Sequence, residues 1–288
     1  MTRLGTIFLP DWAPEALVPL ARAADDAGVD EFWVWEDCFK ESGVAAAAAA
    51  LASTTRIAVG IGLMPTPLRN VALTAMEVST LDRMFPHRFI PGIGHGVQSW
   101  MDQVGARADS PLTLLREQLA ALRALLDGQR LNVRGRYVQL DDVALDWPPR
   151  RRVPVMAGAQ GPKSLLLSGS MADGTILPAG TTAQRLREAK AQIDEGRRRV
   201  GREDHHVVTV FVPAATGSGA QDRLDACQAR WGFNGPGWGV AGAAEEVAEA
   251  LTPWVQAGAD ALALQPTDDD PDPDQFMTFV AEVATLLR

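Results

Sequence analysis

Short apolar runs alternate with longer mixed stretches along most of this chain. Runs that are apolar throughout are typical of parallel strands covered on both faces. We predict eight such strands, at residues 3–9, 32–35, 56–63, 87–96, 153–157, 175–177, 206–212 and 259–265. The clearest helix covers 112–126, where leucine recurs every three or four residues on one face. Further helices are predicted at 14–27, up to residue 53, and at 69–85, 163–171, 182–200, 244–257 and 275–287.

This alternation predicts a parallel α/β fold. Eight strands within 288 residues fit a (β/α)8 TIM barrel, which we expect to be a single domain over residues 1–288. An open doubly wound sheet favours an early G-x-G-x-x-G motif, and the nearest segment, GIGHG at 92–96, lacks the third glycine. Residues 129–152 interrupt the alternation after the fourth predicted helix. We interpret them as an insertion that contains a β-hairpin around Gly135.

Charge and composition narrow the possible partners and location. A net charge of −9 argues against nucleic acid or an anionic membrane as the partner. Two cysteines provide no disulfide framework, and no segment resembles a signal peptide or an apolar membrane span. We therefore expect a cytoplasmic protein. Only one of the four histidines falls at a strand end, so we expect no metal site.

The segment 153–180 carries the most specific chemistry. A strand, a turn at Gly158-Ala159-Gln160-Gly161, a helix and a second strand follow one another. Backbone N–H groups of a glycine turn beside a helix N-terminus form a site for an anion such as phosphate, and Lys163 would add a charge. The other strand ends, including Asp37 and Pro178, supply mainly apolar residues and glycine. Such walls suit a flat cofactor with a phosphate tail.

The chain also resembles a known family over roughly residues 3–265. The matching segments are collinear and lie at 60–65 (GIGLMP), 68–70, 80–83 (TLDR), 88–96 (RFIPGIGHG), 114–125, 135–137 (GRY), 157–174 and 245–260. In their order and spacing they are similar to the bacterial-luciferase-like superfamily, in particular to its coenzyme F420-dependent oxidoreductases. The resemblance implies a barrel that holds a deazaflavin or flavin at its mouth.

The resemblance also assigns roles to individual residues. It places a non-prolyl cis peptide at Gly62-Leu63, against the cofactor ring. The remaining cofactor contacts that we expect fall on Asp37, Cys38, Gly94, His95, Gly96, Gly158, Ala159, Gln160, Gly161, Lys163 and Pro178. Many members have histidine where this chain has Cys38, and some place a catalytic carboxylate where it has Val97. We therefore assign the proton-donor role to His95, with Asp37 orienting it or the substrate.

These observations predict an F420-dependent oxidoreductase that transfers a hydride between the deazaflavin and a small organic substrate. Two alternatives are an FMN-dependent luciferase-like monooxygenase and a non-catalytic flavin- or deazaflavin-binding protein. The resemblance further implies a homodimer. The glycine-rich loop 231–242 is predicted to be a mobile cover over the pocket, or else a surface loop whose aromatic residues pack on the barrel rim.

Overall fold

Eight parallel strands close into a barrel in a computed structural model that describes residues 1–233 and 235–288. The described strands are β1 Arg3–Ile7, β2 Glu31–Val34, β3 Ala58–Pro65, β4 Phe89–Gly94, β5 Leu131–Arg134, β6 Gln139–Val143, β7 Met156–Gly158, β8 Gly174–Leu177, β9 Val207–Ala215, β10 Val240–Ala241 and β11 Ala261–Pro266. The barrel order is β9-β11-β1-β2-β3-β4-β7-β8, and pairing between β8 and β9 closes it. The predicted (β/α)8 TIM barrel is confirmed.

Helices surround the barrel, and all but α4 (Gln98–Gln103) and α8 (Ala220–Trp231) correspond to helices predicted from the apolar pattern. The described α-helices are α1 Leu17–Ala27, α2 Gly43–Ser53, α3 Val71–Met84, α4 Gln98–Gln103, α5 Pro111–Leu126, α6 Pro162–Met171, α7 Ala183–Arg199, α8 Ala220–Trp231, α9 Ala244–Gln256 and α10 Pro273–Leu287. Side chains between these helices and the strands form the main apolar core. None of the described helices is long and apolar enough to cross a membrane.

A second, smaller apolar cluster fills the inside of the barrel. Its buried members are Ile7, Leu9, Trp33, Met156, Ile176, Phe211 and Ala263. The rings of Trp33 and Phe211 meet edge to face, with 5.4 Å between their centroids. The buried indole Nε1 of Trp33 donates to Glu31 Oε2 at 2.9 Å, so its polar atom is satisfied. The barrel interior is therefore a packed core below its mouth.

The predicted hairpin is present as β5 and β6, which pair antiparallel. A single carboxylate on α5 fixes its turn. Glu117 accepts hydrogen bonds from the backbone N–H groups of Arg136, Tyr137 and Val138 at 2.8–3.0 Å. Gly135 is required beside it, because a Cβ there would lie 2.5 Å from Glu117 Oε2. The insertion is thus attached to the barrel through α5.

The sequence pattern missed three elements. A short helix, α4, lies within the segment predicted as a loop before α5. The hairpin follows α5, which is the fourth of the predicted helices, as expected. Helix α8 was missed because few of its residues are buried, namely Ala220, Leu224 and Cys227. Strand β10 has only two residues. Residues 231–242 thus combine the end of α8 with β10, and position 234 lies outside the described residues.

His206 is buried at the N-terminal end of the barrel, just before β9. Its Nε2 lies 2.8 Å from the hydroxyl of Thr175. Burial lowers the pKa of His206 to about 4, and the nearby guanidinium groups of Arg197 and Arg202 act in the same direction, against Asp173 and Asp204. The folded protein therefore holds this ring neutral, whereas an unfolded chain protonates it near pH 6.5.

This difference predicts a loss of stability in mild acid. Between pH 7 and pH 5 the unfolded state binds the extra proton, so the His206 contribution to the free energy of unfolding falls by about 2 kcal/mol. Urea unfolding at the two pH values checks this. In His206→Gln, whose side chain does not titrate, that part of the pH dependence should vanish. An identical pH dependence in parent and variant would contradict the assignment.

Candidate active site

A cavity of about 600 Å³ opens at the carboxyl ends of the barrel strands. Most of its lining is apolar or backbone. The lining residues are Trp35, Glu36, Asp37, Gly62, Leu63, Pro65, His95, Gly96, Val97, Trp100, Gly158, Ala159, Gln160, Gly161, Ser164, Ile176, Pro178, Ala179, Phe211, Trp231, Phe233 and Gln265. Its position matches the end of a TIM barrel at which active sites are built. Its size and lining suit a planar, mostly apolar ligand.

Leu63 forms a raised wall of this cavity. The peptide bond between Gly62 and Leu63 is cis, as expected, and the pairing of β3 with β4 shifts register at this point. The Leu63 side chain lies directly over two glycines, since a Cβ on Gly94 or Gly158 would lie 2.5 or 2.1 Å from its Cδ2. A Cβ on Gly62 would lie 2.6 Å from Phe211 Cζ. Glycine at these positions therefore lets the Leu63 and Phe211 side chains occupy the mouth of the barrel.

Three buried polar atoms of the lining have no hydrogen-bond partner among the described residues. They are Trp35 Nε1, His95 Nδ1 and Gln265 Oε1. Buried polar atoms are usually paired, and an unpaired one costs about 1–3 kcal/mol. Their residues line one cavity, so a bound molecule that reaches these atoms would complete their hydrogen bonding. Burial also lowers the pKa of His95, with an opposing effect from the Pro111 backbone, so its ring is neutral at pH 7.

Two adjacent carboxylates line the same cavity and differ in their hydrogen-bond and ion-pair partners. Glu36 is buried and is held by both terminal nitrogens of Arg69 and by the backbone N–H of Gly43 at 3.0 Å. The next residue, Asp37, takes part in none of the described ion pairs. Burial raises the pKa of Asp37, against the effect of the Lys40 ammonium. Glu36 thus has a structural partner, whereas Asp37 is available to a ligand.

The turn after β7 leads directly into helix α6. Gly161 is the N-cap, Pro162 occupies the first helical position, and no side chain caps the helix. The Ser164 hydroxyl donates to the Gly161 carbonyl at 2.9 Å and accepts from the Gln160 N–H at 3.4 Å, so no side-chain oxygen caps the N–H groups of the first turn of α6. Gly161, Gln160 and Ser164 all line the cavity. This helix end presents the positive pole of its dipole to the cavity and fits a phosphate group.

The structure brings most of the predicted site residues to the cavity lining. These are Asp37, Gly62, Leu63, His95, Gly96, Gly158, Ala159, Gln160, Gly161 and Pro178. Three others lie outside the lining. Gly94 is beneath Leu63, and Cys38 is half-buried beside Asp37. Lys163 is exposed and lines a separate outer groove with Arg116 and Arg199.

Several aromatic lining residues did not follow from the strand ends alone. Trp100 lies on α4, the helix that was not predicted, while Phe211 points inward from the middle of β9. Trp231 and Phe233 belong to the predicted cover and do line the cavity. Trp238 is buried instead in a satellite cluster, 4.9 Å from the Phe233 ring between centroids. The mobility of this segment stays a prediction.

Among the described residues, no group of three or more His, Cys, Asp or Glu side chains is arranged to hold a metal ion. The polar groups of the cavity are instead distributed singly around an apolar lining. This distribution is typical of a site that orients an organic ligand through a few hydrogen bonds.

Most of the chain that forms this cavity and its Leu63 wall also matches a known protein family in sequence. The luciferase-like monooxygenase family profile matches residues 9–272. The chain belongs to this family. Within it, the chain is 30% identical over 204 residues to a 5,10-methylenetetrahydromethanopterin reductase from Methanolobus tindarius, covering 70% of this chain and 62% of the reductase. It is 27% identical over 186 residues to an F420-dependent glucose-6-phosphate dehydrogenase from Nakamurella multipartita, covering 59% and 53%. The match of this luciferase-like chain thus spans about three fifths or less of the length of these relatives.

Solved structures of the luciferase-like fold superpose on nearly the whole chain. An F420-dependent secondary alcohol dehydrogenase in complex with an F420-acetone adduct matches with a TM-score of 0.90 and 20% identity, covering 100% of this chain and 99% of that one. The F420-dependent tetrahydromethanopterin reductase from Methanopyrus kandleri gives a TM-score of 0.85, again at 20% identity and with coverage of 100% and 99%. These likenesses confirm the barrel fold.

The close approach of Leu63 to Gly158 predicts that a side chain at position 158 lowers the stability of the protein. In Gly158→Ala the new methyl group must displace the Leu63 side chain, which should lower the free energy of unfolding by about 1–3 kcal/mol. Adding Leu63→Ala should recover part of this loss. Urea unfolding of the three variants gives the coupling energy. Gly161→Ala is the matched control, because its nearest atom would be 3.9 Å away. Additive losses at 158 and 63 would refute the proposed contact.

Proposed function

We propose that this luciferase-like chain is an F420-dependent oxidoreductase that transfers a hydride between the deazaflavin and a small organic substrate. One observation carries the proposal. The same cavity contains an uncapped helix N-terminus, an apolar Leu63 wall and three buried polar atoms without partners. An anionic tail, a flat ring and a polar ring edge are the groups that this arrangement fits. The relatives that carry F420 in their names support the choice of cofactor.

Each part of F420 can be assigned to residues of the cavity. The N–H groups of Gly161 and of the first turn of α6 would hold the phosphate, because the Ala159 N–H already donates to the Ile176 carbonyl and the Gln160 N–H to the Ser164 hydroxyl. Leu63 would support the flat ring, with Gly62 and Gly158 allowing its approach. His95 Nδ1 and Trp35 Nε1 would face polar atoms of the bound molecules. When bound, F420 supplies a ring carbon that accepts or releases a hydride.

The chain's own residues would manage the accompanying proton. Oxidising an alcohol to a carbonyl removes one hydride and one proton, and the proton must leave the substrate oxygen for a base. His95 is neutral because burial lowers its pKa, so its unprotonated ring nitrogen can accept that proton. Asp37, whose pKa is raised by burial, can orient the hydroxyl or share the proton. In the reverse direction the same groups protonate the carbonyl oxygen.

Aromatic side chains around the mouth would exclude water from this step. Trp35 stacks on Phe211, with 6.1 Å between ring centroids, and Trp100 and Trp231 line the cavity from two helices. Water exclusion strengthens the hydrogen bonds to His95 and protects the reduced cofactor from side reactions. The lining therefore supports orientation and proton transfer without a metal ion.

The oligomeric state and the cellular location that the sequence analysis predicts are also proposals. We propose a cytoplasmic homodimer in which helices α2 and α3 contribute to the interface. Leu73 and Met76 on α3 are 46% and 57% exposed, which supports a covered surface on this side of the barrel.

The phosphate assignment predicts a charge-specific effect at Gly161. Gly161→Asp places a carboxylate at the N-cap, where it competes with the phosphate for the same N–H groups and repels it. We expect F420 affinity to fall at least about tenfold, or about 1.4 kcal/mol. Gly161→Asn is the matched control, since it has the same shape without the charge, and both residues are good N-caps that leave folding intact. Fluorescence titration with F420 measures each affinity.

Two results would contradict the proposal. A parent protein that does not bind F420 would overturn the cofactor assignment. F420 affinities equal to the parent's in both Gly161→Asp and Gly161→Asn would place the phosphate elsewhere, provided that thermal unfolding shows both variants to be folded.

A further inference from the structure

The charge of the cavity lining restricts the substrate more than its shape does. None of the described residues that line the cavity is Lys or Arg. Arg69, which lies behind Glu36, is already bound to Glu36 and to Glu77, and its side chain is only 13% exposed. Arg185, in the neighbouring pocket that shares Gln160 and Phe233 with the cavity, is paired with Glu188. The Arg69 guanidinium is thus already shared by two carboxylates and would have to leave one of them to bind a third anion.

The wall around Asp37 carries excess negative charge. Asp11, Glu36, Asp37 and Glu41 lie together, with Lys40 and Arg69 as the accompanying cations. Lys40 binds Asp11 at 2.6 Å, while Arg69 binds Glu36. Asp37 is left without an ion pair among the described residues, and the Glu41 side chain has a buried oxygen without a described partner. An anionic substrate group placed here would be repelled.

The remaining anion site of the cavity is the N-terminus of α6. In the proposed function the cofactor phosphate takes that position, so a substrate phosphate or carboxylate would have to be buried without a counter-charge. The exposed cations Lys163, Arg116 and Arg199 line a different groove and do not compensate. Burying an unpaired charge is strongly unfavourable.

The cavity lining does contain groups that match a neutral substrate. Trp100, Trp231 and Phe233 provide apolar surface for a carbon skeleton. The unpartnered Gln265 Oε1 can accept a hydrogen bond from a substrate hydroxyl, and His95 Nδ1 can accept one from a hydroxyl or, when protonated, donate one to a carbonyl oxygen. A site with fixed hydrogen-bonding atoms and apolar walls selects for one polar oxygen on an otherwise apolar molecule.

We propose that the substrate is an uncharged alcohol or carbonyl compound, and not a phosphorylated or carboxylated one. This rests on the proposed function. In the oxidation direction the C–H bond of the CH–OH group breaks, its electron pair and hydrogen pass to F420, and the hydroxyl proton passes to His95 or Asp37. The alcohol is oxidised to the carbonyl and F420 is reduced. The chain would thus differ in substrate from the relatives named as glucose-6-phosphate dehydrogenases.

A matched pair of probes tests this on the F420-loaded protein. Cyclohexanol and cyclohexyl phosphate share a skeleton and differ in the charged group. After F420 saturation has been established by its fluorescence, binding of each probe is measured by saturation-transfer NMR, and oxidation of cyclohexanol by the loss of F420 absorbance. We expect cyclohexanol to bind at least about tenfold more tightly than its phosphate ester, and to be the probe that reduces F420.

Charge-changing variants show whether electrostatics cause the preference. Val97 is a lining residue that is 45% exposed at the cavity rim. Val97→Lys should raise the affinity for cyclohexyl phosphate at least about tenfold relative to Val97→Met, which has similar length without charge. Asp37→Asn should raise it severalfold relative to the parent.

The outcomes separate this inference from the proposed function. If F420 does not bind, both fail. If F420 binds but cyclohexyl phosphate binds as tightly as cyclohexanol in the parent, the substrate class is wrong and the cofactor assignment stands. Unchanged phosphate-ester affinity in both Val97→Lys and Asp37→Asn would likewise overturn the electrostatic argument.

Discussion

The side chain of Leu63 packs directly against the backbone of two neighbouring barrel strands, and the architecture of the cavity depends on this contact. A Cβ on Gly94 or Gly158 would lie 2.5 or 2.1 Å from Leu63 Cδ2, so a larger residue at either position would force the Leu63 side chain to move. Phe211 fills the space beside Gly62 in the same way. The apolar groups at the mouth are thus fixed by backbone packing, which is dense and resists small shifts. His95 follows Gly94 immediately, and the phosphate turn begins at Gly158, so the same contact positions both.

Electrostatics at the mouth complement this packing. The protein carries a net charge of −9, and the cavity lining contributes carboxylates without a free cation. An anionic cofactor tail is nevertheless compatible with such a site, because backbone N–H groups and a helix dipole concentrate positive potential at one point. Binding energy for the phosphate is therefore local to α6, while the Asp37 side of the cavity disfavours anions. Cofactor and substrate would be distinguished by which side of the same cavity they occupy.

The sequence predicted the barrel because its strands are apolar throughout, and it predicted the hairpin because turn residues interrupt that pattern. Gly158-Ala159-Gln160-Gly161 could be recognised for a similar reason, since glycine and proline mark the turn and the helix start. Helix α8 could not be recognised in the same way, because it is largely polar and buries little. Trp100 was missed along with the short helix that carries it.

Other features of the site depend on three-dimensional placement. Lys163 follows the phosphate turn by two residues, yet its side chain points to an outer groove because α6 has already begun. Trp35, His95 and Gln265 lie far apart in sequence, so no local sequence pattern shows that their buried polar atoms lack hydrogen-bond partners. Leu63 likewise looks like an ordinary strand residue until its glycine neighbours on β4 and β7 are placed beneath it.

The most direct test of this account is a crystal structure of the protein with F420 bound. The account predicts that the phosphate lies on the N–H groups at the start of α6 and that the ring lies against Leu63. It also predicts that His95 Nδ1 and Trp35 Nε1 gain hydrogen-bond partners from the bound cofactor or from a molecule beside it. F420 bound with its phosphate away from α6, or with both nitrogens still unpaired, would contradict the account.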